Sequence, residues 1–290
     1  MLKHDLNALY ESQGIRRFRP PAFEPYDLYA ANRDYLGSAQ LITFTDLDGT
    51  LLAMLPDVTL SVLRSSAGKD SVRVYYNASV YRPKDGHFRE IPQAGIEYVG
   101  KLDAKTEAEV LLLAYRSLEP VSNHPIIRVS DVSFLHTLLQ DMALPEETAS
   151  LVLKLFSVKN AAGIDRLEAE GRLQSTHASL LKTLADLYLP FADGVAFLEK
   201  QPLLASCADT IAHLRTLVDA LASSGTGDRF FLDFSLVNSM DYYSGVLFQG
   251  AVRDIPFPVL SGGRYDALAA RMGREDGAIG FCVYLDLIEG

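Results

Sequence analysis

The sequence has no tryptophan and only two cysteines, Cys207 and Cys282. Two thiols without a C-x-x-C spacing give neither a disulfide framework nor a zinc site. The cytoplasm is then the expected compartment. Long apolar runs are missing as well. None reaches the ~18–20 residues that span a bilayer. The N-terminal MLKHDLNALYESQG carries acids where a signal peptide would carry an apolar core. Positive charge is scarce: 27 Lys and Arg against 37 Asp and Glu leave a net charge of −10. That balance opposes binding to a phosphate backbone unless cations are locally concentrated. The densest basic stretch, GIRRFRP with Arg16, Arg17 and Arg19, is short. Nucleic acid and membrane are therefore not expected as partners. There is no internal repeat and no low-complexity tract.

What is present suits a folded core: 48% hydrophobic and 22% charged residues in a chain of 290. Residues 2–13 place Leu2, Leu6, Leu9 and Tyr10 at helical spacing, and Gly14 ends the helix. The segment IRRFRPPAFEPYDLY contains adjacent prolines and reads as an extended edge or interface strand. LITFTD and TLLAML flank LDG, an Asp-Gly hairpin signal. DVTLSVLRSS reads as a short helix. SVRVYYNASVYR and REIPQAGIEYVG read as strands. On the first, Val72, Val74, Tyr76, Ala78, Val80 and Arg82 share one face. Residues 101–223 are rich in Leu and Ala at helical period. KTEAEVLLLAYRSL, SFLHTLLQDMAL, PEETASLVLKLFSVKN, ASLLKTLADLYLPF and DTIAHLRTLVDALASSG each fit a helix, with one strand, PIIRVSD, among them. After the break at SSGTGD, strands resume in RFFLDFSLV, SGVLFQGAV, FPVLSGG and AIGFCVYLDL. The pattern predicts an α+β fold: residues 1–100 and 229–290 form one discontinuous β-rich body, and 101–228 form a mainly helical insertion.

One stretch points elsewhere. ITFTDLDGTLL has an apolar strand running into Asp-x-Asp-Gly-Thr, as haloacid-dehalogenase-type phosphatases begin, with Asp46 as nucleophile and Asp48 as acid/base. GDRFFLD, ending at Asp233, mimics that family's late Mg²⁺-binding motif. The order of elements argues against it. That fold needs a parallel sheet of successive βα units. Here a second strand follows Asp46 within a few residues, and Asp233 lies in a run of strand formers rather than in a loop after one. The alternative is a hairpin turn with both carboxylates on solvent.

Four further stretches are informative in combination: PDVT (56–59), VYRPKDGHFREIPQAGIEYVG (80–100), NSMDYYSGVLF (238–248) and LSGGRYDALA (260–269). In this order they resemble the catalytic domain of histidyl-tRNA synthetase and its relatives, a class II aminoacyl-tRNA synthetase fold. DYY and GGRYD resemble the histidine-specific signatures. Pro20 or Pro21 fits the proline of the dimer-interface motif, and the hairpin before PDVT fits the family's own. The resemblance covers nearly the whole chain. It implies an antiparallel sheet flanked by helices, with the helical segment as the family's insertion.

Gln93, Gly95 and Glu97 alternate on one face of a strand, with a residue lacking a side chain at the centre. A carboxylate there can accept an imidazole N–H while a tyrosine hydroxyl engages the other ring nitrogen. By the resemblance, Glu97 is that carboxylate and Tyr243 that tyrosine, with Tyr265 close by. Asp57 and Thr59 would bind the ammonium group of histidine. Arg82 and Gln93 would face its carboxylate. Gly262 and Gly263 would let the backbone approach the ligand. Taken singly, each has a plainer reading: a solvated strand Glu, core or interface tyrosines, a surface Arg at a strand end, and a Gly-Gly turn.

The chain departs from an active synthetase where adenylation needs cations. Amino-acid activation brings a carboxylate against a triphosphate, and preorganised donors must offset the charge. The family's arginines are replaced by Asn238 before DYY, by Leu287 in the last motif and by Leu55 before PDVT. The carboxylate two residues after Arg82 is replaced by Lys84. The anticodon-binding domain that follows the catalytic body in the family has no counterpart in this sequence. This pattern resembles the synthetase-like regulatory subunits of ATP phosphoribosyltransferase in histidine biosynthesis. The implied protein has no catalytic residues of its own, no cofactor and no metal. It homodimerises, assembles with a short-form catalytic subunit and supports feedback inhibition by histidine. A truncated or divergent histidine-tRNA ligase-like enzyme is the second reading, and the Mg²⁺-dependent phosphatase the third.

Overall fold

A computed structural model describes residues 2–36, 40–84, 86–237 and 243–289. Helix α1 (Leu2–Ser12) leads into β1 (Arg16–Arg17), β2 (Phe23–Pro25), α2 (Tyr26–Ala30) and α3 (Arg33–Leu36). The hairpin β3 (Thr43–Thr45) and β4 (Leu51–Met54) precedes α4 (Val58–Ser65), and the long strands β5 (Val72–Lys84) and β6 (His87–Gly100) follow. Next come α5 (Ala104–Leu118), β7 (Ile126–Asp131), α6 (Val132–Asp141), α7 (Glu146–Ser157), α8 (Ala161–Ala169) and α9 (Ser175–Asp186). Then follow β8 (Leu189–Pro190), α10 (Phe191–Leu198), α11 (Ala208–Ala222), β9 (Phe230–Leu232), β10 (Val246–Ala251) and β11 (Leu260–Arg264). The chain closes with α12 (Asp266–Arg271), β12 (Gly277–Tyr284) and α13 (Leu285–Glu289).

The strands make a nine-stranded sheet in the order β1-β5-β6-β12-β11-β10-β7-β9-β8 and a small sheet in the order β2-β4-β3. The large sheet is mixed. β1 pairs with β5, and β7 with β9, in parallel; its other pairs are antiparallel. The α+β synthetase-like architecture expected from the sequence is thus realised, with two parallel pairs added near the edges. The segment 101–228 is mainly helical and also contributes β7 and β8 to this sheet.

Both faces of the central strands are covered, which is why β6 is buried from Gln93 onward without alternation. Ala94, Ile96 and Tyr98 of β6 face one core, shared with α1 and α5. α1 presents Leu2, Leu6 and Tyr10 to it at intervals of one turn. The Tyr10 hydroxyl finds its partner in Ser117 of α5, 2.9 Å away. Each such buried side chain contributes about 1.5–3 kcal/mol. The opposite face of β5 packs Val72, Tyr76 and Val80 against α4 and α12. Gln93, Gly95 and Glu97 turn to this second side.

Several expectations are corrected in detail. Within IRRFRPPAFEPYDLY only Arg16–Arg17 and Phe23–Pro25 pair as strand, and Tyr26 begins a helix. ASLLKTLADLYLPF is not one helix: α9 stops at Asp186 and β8 follows. RFFLDFSLV pairs only over Phe230–Leu232.

Candidate functional site

The DLDG segment decides the first alternative. β3 and β4 are antiparallel, with Thr45 opposite Leu51, so residues 46–50 form a hairpin loop. The loop is longer than a two-residue Asp-Gly turn, and Gly49 takes the left-handed conformation at φ +90°. Asp46 Oδ1 accepts from the Leu47 N–H at 2.7 Å and Asp48 Oδ1 from the Thr50 N–H at 2.9 Å. The Thr50 N–H, with the Thr50 hydroxyl, holds the Asp48 carboxyl below its usual range. Both carboxylates serve the turn, and the hairpin overturns the phosphatase reading. Asp233 also differs from expectation, because β9 ends at Leu232 and Asp233 lies just beyond it. Its carboxylate is buried and engaged by Lys159, Arg128 and the Ser235 N–H.

Asp57, Thr59, Arg82, Gln93, Glu97, Tyr243 and Tyr265 all line one cavity of about 530 Å³. The fold assembles them from five places. Asp57 and Thr59 open α4, where the Asp57 side chain caps the helix by accepting from the Leu60 N–H at 3.2 Å. Arg82 stands near the end of β5, just before its exposed last two residues. Gln93 and Glu97 stand on β6, 5% and 2% exposed. Tyr265 follows β11, and Tyr243 precedes β10. Residues 238–242, with Asn238 and most of the DYY signature, lie outside the described residues.

The polar groups form two linked clusters. In the first, Arg82 donates from Nη2 to Asp57 Oδ2 at 2.9 Å and from Nε to the Pro56 carbonyl. Tyr35 donates to Asp57 Oδ1 at 3.0 Å. Burial works against the charge on Arg82, but the Asp57 carboxylate outweighs it and raises the guanidinium above its ordinary value. In the second cluster, Thr59 donates to Glu97 Oε1 at 2.7 Å and Tyr265 to Glu97 Oε2. Burial pushes the Glu97 carboxyl up to about 8, against the lowering effect of those two hydroxyls. The same burial, with Glu97 adjacent, drives the Tyr265 hydroxyl well above its usual range. Near neutral pH the cradle therefore holds an ion pair, Arg82–Asp57, beside a protonated carboxyl that can donate or accept.

Tyr265 is held from behind the sheet. Arg264 turns to the opposite face, where Nη1 donates to buried Glu107 at 2.6 Å and Nε to Asp266 at 2.8 Å. His213 closes the network 2.9 Å from Glu107, whose carboxylate raises the imidazole. The Tyr265 N–H donates to the Ala278 carbonyl at 2.7 Å. The backbone either side of Tyr265 is thus fixed by the protein's own contacts.

The glycines act differently from expectation. A Cβ on Gly95 would meet the Tyr76 hydroxyl at 2.7 Å, so the gap between Gln93 and Glu97 receives Tyr76 rather than open ligand space. One on Gly262 would meet Phe248 at 2.7 Å, and one on Gly263 would meet the Tyr243 ring at 2.6 Å. One on Gly280 would run into the Glu97 carboxylate. Gly95, Gly263 and Gly280 thus seat Tyr76, Tyr243 and Glu97 in the walls of the cavity, while Gly262 gives room to Phe248 in the main core. Tyr35, Tyr76, Gln249, Arg128 and Cys282 also line it and were not singled out from the sequence. Period two along β5 carries Tyr76 onto the same face as Arg82. Nothing local marks Gln249 or Arg128, which enter through strand order.

The departures from an adenylating site are built into the structure. Leu55 is 1% exposed in the core beside α4. Lys84 forms an ion pair with Asp286 at 2.7 Å. Leu287 packs on the main core. Among the described residues lining the cavity, the cations are Arg82 and Arg128, and each already faces a carboxylate. Among the described residues no group of three or more His, Cys, Asp or Glu is placed to hold a metal ion, and no helix is long and apolar enough to cross a membrane.

Comparison with known proteins agrees with this fold. A family model described as histidyl-tRNA synthetase matches residues 1–288. An ATP phosphoribosyltransferase regulatory subunit from Acetivibrio thermocellus is 26% identical, over 99% of this chain and 71% of its own length. The crystal structure of an ATP phosphoribosyltransferase regulatory subunit/histidyl-tRNA synthetase from Bacillus halodurans superposes with a TM-score of 0.87 at 26% identity, covering 99% of this chain and 77% of the other. An ATP phosphoribosyl transferase (HisG:HisZ) complex from Thermotoga maritima contains a chain of the same fold, with a TM-score of 0.77 at 19% identity over 98% of this chain and 96% of that one.

Proposed function

Because the chain belongs to the histidyl-tRNA synthetase family, we propose that it is a regulatory subunit of ATP phosphoribosyltransferase that binds free histidine in this cavity without transforming it. The observation that carries this reading is the contrast within one site. The cradle of Glu97, Thr59, Tyr265, Asp57 and Arg82 is assembled and hydrogen-bonded. Two of the positions where the family places adenylating arginines hold Leu55 and Leu287, and the position of its ATP-holding carboxylate holds Lys84, paired with Asp286. Losing even one preorganised donor of this kind costs about 3–4 kcal/mol of transition-state stabilisation. In the proposed complex the imidazole lies between Glu97 and Tyr243. The ammonium group meets Asp57 and Thr59, and the carboxylate meets Arg82 and Gln93. Arg82 and Asp57 pair with each other at 2.9 Å, so the ligand's two charges would exchange with that pairing. The names of its relatives support a short-form catalytic transferase as partner. Feedback control then follows if histidine binds one state of the assembly more tightly than another. The cytoplasm suits this role.

Isothermal titration with histidine, with and without the catalytic subunit, tests the reading. Arg82→Ala removes a charge-assisted bond worth about 1.5–3 kcal/mol, so binding is expected to weaken at least tenfold. ATP–pyrophosphate exchange supported by histidine in the purified chain would sink it in favour of a divergent ligase.

We also infer self-association through the small sheet. Phe23 is 50% exposed and Phe44 39%, and their rings, with centroids 5.3 Å apart, share one face of the small sheet. A patch of this kind marks an interface. Phe44→Asp is expected to convert a dimer to a monomer in sedimentation velocity without altering the far-UV circular dichroism. A wild-type chain that sediments as a monomer at micromolar concentration rules this interface out.

A further inference from the structure

The cavity is longer than one amino acid requires. Tyr76, Gly95, Cys282, Ser261, Gln249 and Arg128 lie opposite one another across β5, β6, β12, β11, β10 and β7. β6 and β7 are four strand spacings apart, about 19 Å along the sheet. A ligand held by Glu97, Asp57 and Arg82 leaves the β7 end open.

That end is cationic in a chain of net charge −10. Arg128 donates from Nη2 to Gln249 at 2.6 Å, while Nη1 stands 3.4 Å from Asp233, a long contact. Asp233 is held more closely by Lys159 at 3.0 Å and by the Ser235 N–H at 3.0 Å. Burial acts to raise this carboxyl, but Ser235 and Lys159 outweigh it and keep the group below its ordinary value, hence ionised. Two cations thus flank one carboxylate, and a positive charge remains. Lys159 is steadied over the Tyr188 ring, 5.4 Å from its centre, and Tyr188 is stacked on Phe231. Ser157 and Ser235 complete this end of the cavity.

We propose that the β7 end of the cavity is a separate oxyanion subsite, in which the Arg128 guanidinium, backed by Lys159, takes the phosphoryl group of a small metabolite while the cradle holds its own ligand. A guanidinium fork with a partly free edge suits such an oxyanion, and the flanking hydroxyls suit the extra acceptors of a phosphoryl group over a carboxylate. The assignment does not depend on what the cradle binds.

The test is titration of the full-length chain with inorganic phosphate at low ionic strength, followed by calorimetry and by ³¹P line broadening. Saturable binding is expected, weakened about tenfold or more by Arg128→Gln. Asp233→Asn removes the competing carboxylate and should tighten binding about threefold or more. That second variant decides the matter if Arg128→Gln fails to fold. Absence of saturable binding, or an Asp233→Asn affinity equal to wild type, overturns the proposal. So does loss of phosphate binding in Arg82→Gln but not in Arg128→Gln, which places the anion in the cradle. Acetate competing equally overturns the phosphoryl assignment. A chain that binds phosphate as described but not histidine upholds the subsite and removes the histidine reading; the reverse overturns the subsite alone.

Discussion

Raising the pH from about 4.5 to 8 is expected to cost the wild-type chain on the order of 4 kcal/mol of folding stability through Glu97 alone, at ~1.36 kcal/mol per pH unit. Burial raises this carboxyl from 4.5 to about 8 in the folded chain. Between those values the folded state keeps a proton that the unfolded state gives up. The folded state then binds more protons, so stability falls as pH rises. The contribution is complete below the unfolded value and is lost as the pH passes the folded one. Urea unfolding across this range, wild type against Glu97→Gln, isolates the group. Gln stays neutral and can still exchange hydrogen bonds with Thr59 and Tyr265. The two profiles should nearly coincide below about 4.5, diverge in favour of Gln as the pH rises to about 8, and keep a constant gap above it, where the wild type must bury a charge. Parallel profiles would mean that Glu97 is ionised in the folded chain.

The second large effect comes from Gly280. It stands opposite Glu97 on β12, and an added methyl would run into the carboxylate while lying 2.5 Å from the Ile96 carbonyl oxygen. Both neighbours belong to the middle of the large sheet, where the backbone cannot shift without breaking the ladder. Overpacking of this kind costs about 1–3 kcal/mol. Displacing Glu97 from Thr59 and Tyr265 adds roughly 1 kcal/mol for each bond lost. Gly280→Ala is therefore expected to lower stability by about 2–5 kcal/mol and to abolish histidine binding. Gly227→Ala is the control, because a Cβ there meets its nearest neighbour at an ordinary 3.5 Å. Near-equal stability of the two variants would show that the sheet yields at β12.

Much of this was legible in the residues. Period-two alternation placed Gln93 and Glu97 on one face, and the structure confirms that both enter the cavity. The short helix after PDVT was visible because Asp57 caps it. α8 and α10 were missed for a physical reason: each carries a glycine where good helix formers are expected. Gly163 makes room for Leu155, and Gly194 for Leu232. Those are tertiary demands that a local pattern does not express. The same holds for the glycines under the site, whose spaces are taken by side chains from other strands. The row that ends at Arg128 depends on strand order, which no period records.

Under the function proposed above, the residues at positions 55 and 84 make ligase chemistry reachable only by concerted change. Arginine at position 55 would carry a charge into a site that leaves Leu55 1% exposed. A carboxylate at position 84 would stand against Asp286, where Lys84 now makes its ion pair. Each of these substitutions alone is penalised before it confers anything, so single steps towards an adenylating site are disfavoured. On that proposal, further substitution can refine the site as a sensor far more readily than it can make it an enzyme.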